Sequence, residues 1–197
     1  DYARPFKEGL ARVRVQRKWG FINKEGLYVI EPKFSSANDF NENASRVKVG
    51  RNWGFIDNTG KYIIKPKFRS AGEFSDGLAR VKSGRSWGYI NKKGNFVISP
   101  RYSSANDFID GIARVRSRGL IGFIDKKGSF VIEPKFGEAY DFVEGLSMVR
   151  SRGKWGFVNQ RGLYVIEPKF DWAWNFNEGI AAVSIDSKWG FIDKEGN

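Results

Sequence analysis

The sequence predicts an all-β protein made of tandem copies of one unit of 34 residues. Three observations support this fold class. A glycine, a proline and a phenylalanine each return at the same interval, the interval has no insertion or deletion, and apolar residues within each unit alternate as they do in strands. The recurring glycines are Gly20, Gly54, Gly88, Gly122, Gly156 and Gly190. We therefore expect one structural unit repeated about six times.

The first two strands of the unit are clearest in the first copy. Residues 10–15, Leu-Ala-Arg-Val-Arg-Val, alternate apolar and basic side chains, which predicts a half-buried strand with Arg12 and Arg14 on its outward face. After a short connection, residues 19–23, Trp-Gly-Phe-Ile-Asn, predict a second strand.

A turn and a third strand follow. The segment from Asn23 to Gly26 begins with an Asx residue and ends with a glycine where the backbone needs a positive φ, a pattern typical of hairpins. Residues 28–30, Tyr-Val-Ile, predict the third strand. We expect this strand to end at Pro32, because proline cannot donate to a ladder.

The remainder of the unit predicts a short helical turn. In residues 33–42 the apolar side chains are Phe34, Ala37 and Phe40, whose spacing of three suits one helical turn held to the core by its aromatic rings. Each unit is then a three-stranded antiparallel meander plus this turn. Counted from Phe6, a single repeat domain over 1–197 holds units 6–39, 40–73, 74–107, 108–141, 142–175 and a partial 176–197, with 1–5 ending a preceding unit.

Three runs of the first copy carry a family resemblance. Residues 8–12 (Glu-Gly-Leu-Ala-Arg), 18–26 (Lys-Trp-Gly-Phe-Ile-Asn-Lys-Glu-Gly) and 29–34 (Val-Ile-Glu-Pro-Lys-Phe) resemble the bacterial WG-containing repeat, also called the KWG repeat. The resemblance covers essentially the whole chain. It implies a repeat array whose copy number differs between members, and it implies no shared catalytic activity.

Neighbouring units must stack, because a three-stranded sheet cannot bury its aromatic face alone. An open superhelical solenoid and a closed six-bladed β-propeller both satisfy this requirement. Propeller blades have four strands and about 40 or more residues. The shorter unit therefore favours the solenoid, with the propeller as the alternative.

The composition argues against an enzyme. The chain has no His and no Cys, which excludes imidazole bases, the usual serine and cysteine triads, and thiolate or imidazole metal sites. Carboxylates recur at one position of every unit. A structural role in a turn requires the acid in every copy, whereas catalysis requires an acid pair only once. These acids are Glu8, Glu42, Asp76, Asp110, Glu144 and Glu178. We expect no catalytic residue, no metal and no cofactor.

The tryptophans that precede the recurring glycines are predicted to be core. Trp19, Trp53, Trp87, Trp155 and Trp189 hold a fixed strand position beside a glycine, which suits packing between units. Ile121 replaces Trp at this position, as expected where a side chain only packs.

A basic ladder is the first candidate binding site. Its two rows lie two residues apart on the outward face of the first strand. They are Arg12, Arg46, Arg80 and Arg114, and Arg14, Lys48, Lys82 and Arg116, continued by Arg150. Stacked units would align these charges into a stripe that suits a polyanion. The alternative is a solvated face whose heads pair with the recurring acids. Met148, Ala182 and Ser184 interrupt the ladder at the C-terminal end.

Trp172 and Trp174 form the second candidate site. Their equivalents in other copies are small or polar, as in Ser36 and Asn38, or Ser70 and Gly72. A pair of aromatic rings in an otherwise polar segment can stack on a sugar or insert into a partner. Local packing between units is the structural alternative.

These observations leave three functions open. With 34 Lys and Arg against 22 Asp and Glu, the net charge of +12 favours a protein or polyanion partner, the latter an anionic glycan, nucleic acid or membrane surface. The alternatives are a glycan- or peptide-binding module that uses Trp172 and Trp174, and a structural spacer within a larger protein. The compartment stays open, with a bacterial cell surface or secreted location as the working expectation.

Overall fold

In the computed structural model, which describes residues 2–197, the chain folds into six antiparallel β-sheets. Five sheets have four strands and the sixth has three, and in every sheet the strands pair in sequence order as a meander. No sheet closes into a barrel, and residues 2–197 contain no helix. The all-β prediction is confirmed. The chain divides into two compact units, Asp1–Arg101 and Tyr102–Asn197.

The first unit carries sheets 1 to 3. Sheet 1 holds β1 (Tyr2–Lys7), β2 (Leu10–Val15), β3 (Lys18–Ile22) and β4 (Tyr28–Phe34). Sheet 2 holds β5 (Ser36–Ala37), β6 (Ser45–Val49), β7 (Asn52–Ile56) and β8 (Tyr62–Phe68). Sheet 3 holds β9 (Ser70–Ser75), β10 (Leu78–Ser83), β11 (Ser86–Ile90) and β12 (Phe96–Tyr102).

The second unit carries sheets 4 to 6. Sheet 4 holds β13 (Ser104–Ala105), β14 (Ile112–Ser117), β15 (Leu120–Asp125) and β16 (Phe130–Phe136). Sheet 5 holds β17 (Glu138–Ala139), β18 (Ser147–Ser151), β19 (Lys154–Val158) and β20 (Tyr164–Phe170). Sheet 6 holds β21 (Trp172–Ala173), β22 (Ala181–Ile185) and β23 (Lys188–Ile192).

The predicted helical turn in residues 33–42 was wrong. The segment instead ends β4 and then forms β5, which pairs with β6 through Ser36 and Lys48. Phe34, Ala37 and Phe40 are all buried, but at the end of β4, on the two-residue β5 and on the connection after it rather than on a helix face. A spacing of three over so short a run does not distinguish these two structures.

The segment therefore adds a fourth strand to the meander. This strand is only two residues long in sheets 2, 4, 5 and 6. For that reason four strands fit within 34 residues. The length of the unit therefore no longer argues against a propeller blade.

The predicted hairpin turn is confirmed. Between β3 and β4, the Gly26 amide donates to the Asn23 carbonyl at 3.0 Å, and the Leu27 amide donates to Asn23 Oδ1 at 2.9 Å. Gly26 has a φ of +79°, which a side chain would disfavour. The Asx side chain thus fixes both ends of the turn.

The glycine of each Trp-Gly pair allows two strands to approach closely. A Cβ built on Gly54 would lie 2.5 Å from the Ile64 carbonyl oxygen and 2.6 Å from the Pro66 nitrogen. The register of β7 and β8 shifts at this point, which brings the backbone of β8 against the glycine.

Phenylalanine pairs join consecutive sheets within each unit. Phe21 of sheet 1 lies 4.9 Å from Phe40, and Phe55 of sheet 2 lies 4.8 Å from Phe74, as measured between ring centroids. These four rings are almost fully buried. In the second unit Phe157 and Phe176 repeat the contact at 4.8 Å. The periodic phenylalanines are therefore the hydrophobic joints between sheets.

Candidate functional site

The first row of the basic ladder is engaged inside the protein. Arg12 Nε donates to Asp39 Oδ1 at 2.8 Å, and Arg12 Nη1 donates to the Ala37 carbonyl. Arg114 makes the same contacts with Asp141 and Ala139, at 2.8 and 2.7 Å. These guanidinium groups join one sheet to the first strand of the next sheet. For Arg12 and Arg114 these contacts agree with the alternative in which the heads of the ladder pair with acids of the protein.

Arg46 has a similar role in sheet 2. Its Nη1 donates to the Ala71 carbonyl, and its Nη2 donates to Asn38 Oδ1 at 3.0 Å. In sheet 3, the Arg80 guanidinium lies 5.4 Å from the centre of the Trp87 ring. The whole first row is thus in contact with other groups of the protein.

The second row lies against the tryptophans. Arg14, Lys48 and Lys82 lie 5.8, 5.5 and 6.0 Å from the ring centres of Trp19, Trp53 and Trp87, as cation–π pairs. Arg116 differs, since it faces Ile121 and donates to the Gly119 and Gly137 carbonyls. In this row Arg14 is exposed, whereas Lys48, Lys82 and Arg116 are half-buried like the arginines of the first row.

The tryptophans of the Trp-Gly position fall into three groups. Trp155 is buried, as predicted. Trp19, Trp53 and Trp87 are half-buried beneath their cations. Trp189 is 58% exposed, so the prediction that it is core was wrong. In sheets 1, 2 and 5 a fourth strand pairs with this position, as Phe170 pairs with Trp155, whereas sheet 6 has only three strands among the described residues.

One cross-strand row of sheet 6 has a different pattern of side-chain sizes. In sheet 2 the row is Ser36–Lys48–Trp53, in which a small residue, a long cation and a ring lie opposite one another on adjacent strands. In sheet 6 the same row is Trp172–Ser184–Trp189. Two large rings therefore flank a small residue, and the space filled by Lys48 in sheet 2 is left open.

The second departure is at the joint between sheets 5 and 6. Met148 stands where Arg12 and Arg114 stand in their sheets, and Asn175 stands where their partners Asp39 and Asp141 stand. Both members of the ion pair are thus replaced by neutral side chains. Ala182 takes the same position as Met148 in sheet 6.

These changes create an aromatic cleft in the second unit, with a volume of about 530 Å³. Its rings are Tyr140, Trp155, Trp172, Trp174 and Trp189. Met148, Ala173, Asn175, Ser184 and Ser187 complete its lining. Tyr140 is the equivalent of Trp174 one repeat earlier, and its ring lies 5.8 Å from that of Trp155. A cleft of this size, mostly apolar with a few polar groups, is typical of ligand sites.

The cleft is open to solvent and has one unpaired polar group at its base. Trp172 and Trp174 are 64% and 66% exposed. Ser184 is 1% exposed, and its Oγ makes no hydrogen bond to the residues that the structure describes. Buried hydroxyl groups normally have a partner, so Ser184 is available to a ligand.

The lining of the cleft is electrically neutral. Its residues carry no charge, and the adjacent Asp171 is already paired. Asp171 Oδ1 accepts from Lys154 Nζ at 2.5 Å, and Oδ2 accepts from the Asp186 amide at 2.8 Å. The hydrogen bond from Lys154, followed by that from the Asp186 amide, lowers the pKa of Asp171. Asp171 thus stays ionised and directed toward Lys154.

The recurring acids have structural contacts. Glu8, Glu42 and Glu144 each begin a tight turn with a positive φ. Their carboxylates accept from backbone amides in the equivalent turn of the next sheet, those of Asn43, Gly77 and Gly179, at 2.9 to 3.1 Å. Among residues 2–197, no group of three or more acidic side chains is placed to hold a metal ion.

Part of the aromatic cleft was predicted from the sequence. Trp172 and Trp174 were candidate site residues, whereas Met148, Ser184 and Trp189 were not assigned to a site. The signal was present, because Met148 and Ser184 are the residues at which the basic ladder breaks. The residues that interrupt the basic ladder and the tryptophans that replace small or polar residues at positions 172 and 174 therefore line the same cleft.

The fold and the site together define a tandem β-sheet repeat protein in which aromatic residues join consecutive sheets within each compact unit. The chain belongs to the WG containing repeat family, which it matches in six consecutive segments, residues 1–19, 19–53, 53–84, 87–120, 121–155 and 155–189. No curated protein matches the chain. Within the described residues, no helix has the length and apolar character needed to cross a membrane.

Solved structures that resemble the chain show the fold. Hsv2p of Kluyveromyces lactis is 11% identical, with 96% of this chain and 73% of that chain covered and a TM-score of 0.56. A eukaryotic initiation factor is 12% identical, with 97% and 62% covered and a TM-score of 0.60. The Hsv2p neighbours are β-propeller-like proteins. The sheets of this chain are accordingly similar to propeller blades.

Proposed function

We propose that this chain is a non-catalytic binding module and that the aromatic cleft of the second unit is its ligand site. The observation that carries the proposal is the Trp172–Ser184–Trp189 row, in which two exposed rings border an open space. Exposed, clustered rings of this kind are characteristic of binding surfaces. The absence of His and Cys from the sequence and the turn contacts of the recurring acids support a non-catalytic role.

The aromatic cleft has more support than the basic ladder as the main site. Three arginines of the first row donate to groups of the neighbouring sheet, so their heads are not directed at a partner. The cleft, in contrast, presents Trp172, Trp174 and Trp189, whose rings are mostly exposed. It also differs from the joint between sheets 4 and 5 in the same unit, as a single specific site should.

The test is a binding array of neutral glycans, anionic glycans and peptides, probed with the wild-type chain. Trp172→Ala and Trp174→Ala are expected to reduce binding at positive spots at least about tenfold, because stacking rings dominate such contacts. Their thermal midpoints should stay near that of the wild type, because both side chains are mostly exposed.

The matched control is Tyr2→Ala, which removes an exposed ring at the Trp172 position of sheet 1. It should leave binding unchanged. Binding that survives both tryptophan substitutions would rule out the aromatic cleft as the site. A large fall in thermal midpoint for Trp172→Ala would instead show that the ring is structural, as the spacer function requires.

We further propose that the six sheets form an open array. The support is the varying copy number that the family resemblance implies, which suits an array that does not need to close. The alternative is a closed six-bladed propeller, for which small-angle X-ray scattering should give a radius of gyration near the value for a compact chain of this length, about 16 Å. A larger radius is expected for the open array.

A further inference from the structure

Tryptophans at the Trp-Gly position are accompanied by cations of the protein itself. The nearest guanidinium carbon lies 4.9 Å from the ring centre of Trp19, 4.3 Å from that of Trp53, 5.4 Å from that of Trp87 and 5.7 Å from that of Trp155. The distances are those of cation–π contacts, in which the negative face of the ring attracts the charge. A cation over the ring is thus a regular feature of this repeat.

Trp189 is the exception. The positions that supply the cations in other sheets hold Ala182 and Ser184 in sheet 6. Among the described residues, no Arg or Lys lies over the rings of Trp172, Trp174 or Trp189. Sheet 6 therefore keeps its rings but lacks the positive group that the other tryptophan-bearing sheets provide. On the sheet 5 side of the same cleft, Trp155 and Tyr140 still lie under Arg150 and Arg114, at 5.7 and 5.9 Å.

The missing group defines the chemistry of a ligand. A cation placed above Ser184 would face Trp189 from the position that Lys48 occupies over Trp53, with Trp172 on the opposite side of the row. Ser184 Oγ, which is buried and has no partner, can direct a lone pair toward it. Neutral aromatic walls with one acceptor are typical of cages for quaternary ammonium groups.

The neutral lining favours a cation without N–H donors. Arg12 and Arg114 have carboxylate partners in Asp39 and Asp141, but the equivalent residue in the cleft is Asn175. A guanidinium or primary ammonium would lose hydrogen bonds to water that the cleft does not replace. A trimethylammonium group has no such bonds to lose.

We propose, building on the binding role assigned above to the aromatic cleft, that its ligand presents a trimethylammonium group, held by Trp172, Trp174 and Trp189 above Ser184. The ligand supplies the cation that sheet 6 lacks. Because the lining carries no charge of its own, binding depends on the rings rather than on ion pairing. Affinity should therefore change little with salt concentration.

The test compares choline with 3,3-dimethylbutan-1-ol, which has the same shape and no charge, by tryptophan fluorescence and by ligand-observed NMR. Choline should bind, and the neutral analogue should bind about tenfold more weakly, as loss of a cation–π contact predicts. Equal binding of the two compounds would overturn the proposal and would show an apolar site. Failure of choline to bind would also overturn it.

A second test restores the internal cation. In Ser184→Lys, a lysine stands opposite Trp189, as Lys48 stands opposite Trp53. Choline binding should fall at least about tenfold because the cleft is then occupied by the protein's own ammonium group. The control Ser83→Lys adds the same charge at an exposed position of β10 and should bind choline as the wild type does. Equal loss in both variants would contradict the proposal.

The thermal midpoint of Ser184→Lys distinguishes filling of the cleft from misfolding. If this variant is destabilised, Trp189→Leu provides the second test, since it keeps an apolar side chain and removes the ring that faces Ser184. Choline affinity should again fall about tenfold. Full choline binding by a folded Trp189→Leu variant would overturn the proposal.

Two further ligands distinguish the source of the group. A peptide with trimethyl-lysine and free phosphocholine both carry trimethylammonium, and the tighter ligand indicates whether a protein or a choline headgroup is the natural partner. The binding array of glycans and peptides separates the trimethylammonium proposal from the broader proposal that the cleft binds a ligand. If array ligands need Trp172 but choline does not bind, only the trimethylammonium assignment fails. If no array ligand depends on Trp172 or Trp174, the binding role of the cleft fails as well.

Discussion

At the residue scale, the glycine of each Trp-Gly pair has a steric role that its neighbours define. Gly20, Gly54 and Gly156 each face the backbone of the following strand. An added Cβ would lie 2.5 to 2.6 Å from a carbonyl oxygen of that strand. Backbone atoms cannot move aside as a flexible side chain can. Gly190 differs, because a Cβ there has no neighbour within 4 Å among the described residues.

This difference gives a matched pair of substitutions. Gly54→Ala should lower the free energy of unfolding by about 3 kcal/mol, because the methyl group separates β7 from β8. Gly190→Ala should change it by less than about 1 kcal/mol. Urea denaturation of the two variants measures both values. Equal effects would show that the glycine is required for another reason.

At the element scale, the β-turns are fixed by side chains that hydrogen-bond to their own backbone. Asp57 begins the turn between β7 and β8, and its Oδ1 accepts from the Thr59 amide, the Thr59 hydroxyl and the Lys61 amide. The equivalent residue is Asn23 in sheet 1 and Asn91 in sheet 3. An amide oxygen thus serves in the same place, without a titratable charge.

The turn at Asp57 should make a small contribution to pH dependence. Its hydrogen bonds, that from the Thr59 hydroxyl first, lower the pKa of the folded carboxyl below the ordinary value of 3.8. The stabilisation is therefore complete above that ordinary value and is lost as the pH falls through the lowered one.

Asp57→Asn should remove this dependence, so the difference in unfolding free energy between wild type and variant should shrink or reverse on acidification. Denaturation at a series of pH values from about 6 to 2 measures it. Parallel curves for the two proteins would contradict the assignment.

At the scale of the whole molecule, cations of the basic ladder contribute to the net charge of +12 while they contact other groups of the protein. Arg12, Arg46 and Arg114 are used between sheets, and Lys48 and Lys82 lie against tryptophans. Attraction of polyanions should then follow total charge.

Heparin chromatography tests this view. The chain should be retained at low salt and released as salt rises, because counterion exchange weakens such contacts. Lys48→Gln with Lys82→Gln should lower the releasing salt concentration no more than Lys126→Gln with Lys127→Gln, a pair of exposed lysines of equal charge. A much larger effect of the first pair would indicate that the ladder is a specific polyanion site.

The sequence by itself determined the repeat, its all-β class, the positions of three strands, the Asx-Gly turns and the departure at Trp172 and Trp174. The expected end of the third strand at Pro32 was wrong, because β4 continues through this proline to Phe34. These features are local, since alternation within a strand and turn chemistry depend on residues close in sequence. The predicted helical turn at 33–42 was wrong because the end of β4, the two-residue β5 and a connection bury residues at the same spacing as one turn of helix.

Only the tertiary structure decided which side chains meet. The register between β21, β22 and β23 places Trp172, Ser184 and Trp189 in one row, and stacking of sheets 5 and 6 adds Trp155 and Met148. Period alone does not specify this register, because inter-strand hydrogen bonds fix which residues lie opposite one another. In the folded chain, Arg12, Arg46 and Arg114 of the basic ladder donate to carbonyl groups of the next sheet. The aromatic cleft lies where Met148, Ala182 and Ser184 replace the cations of the ladder.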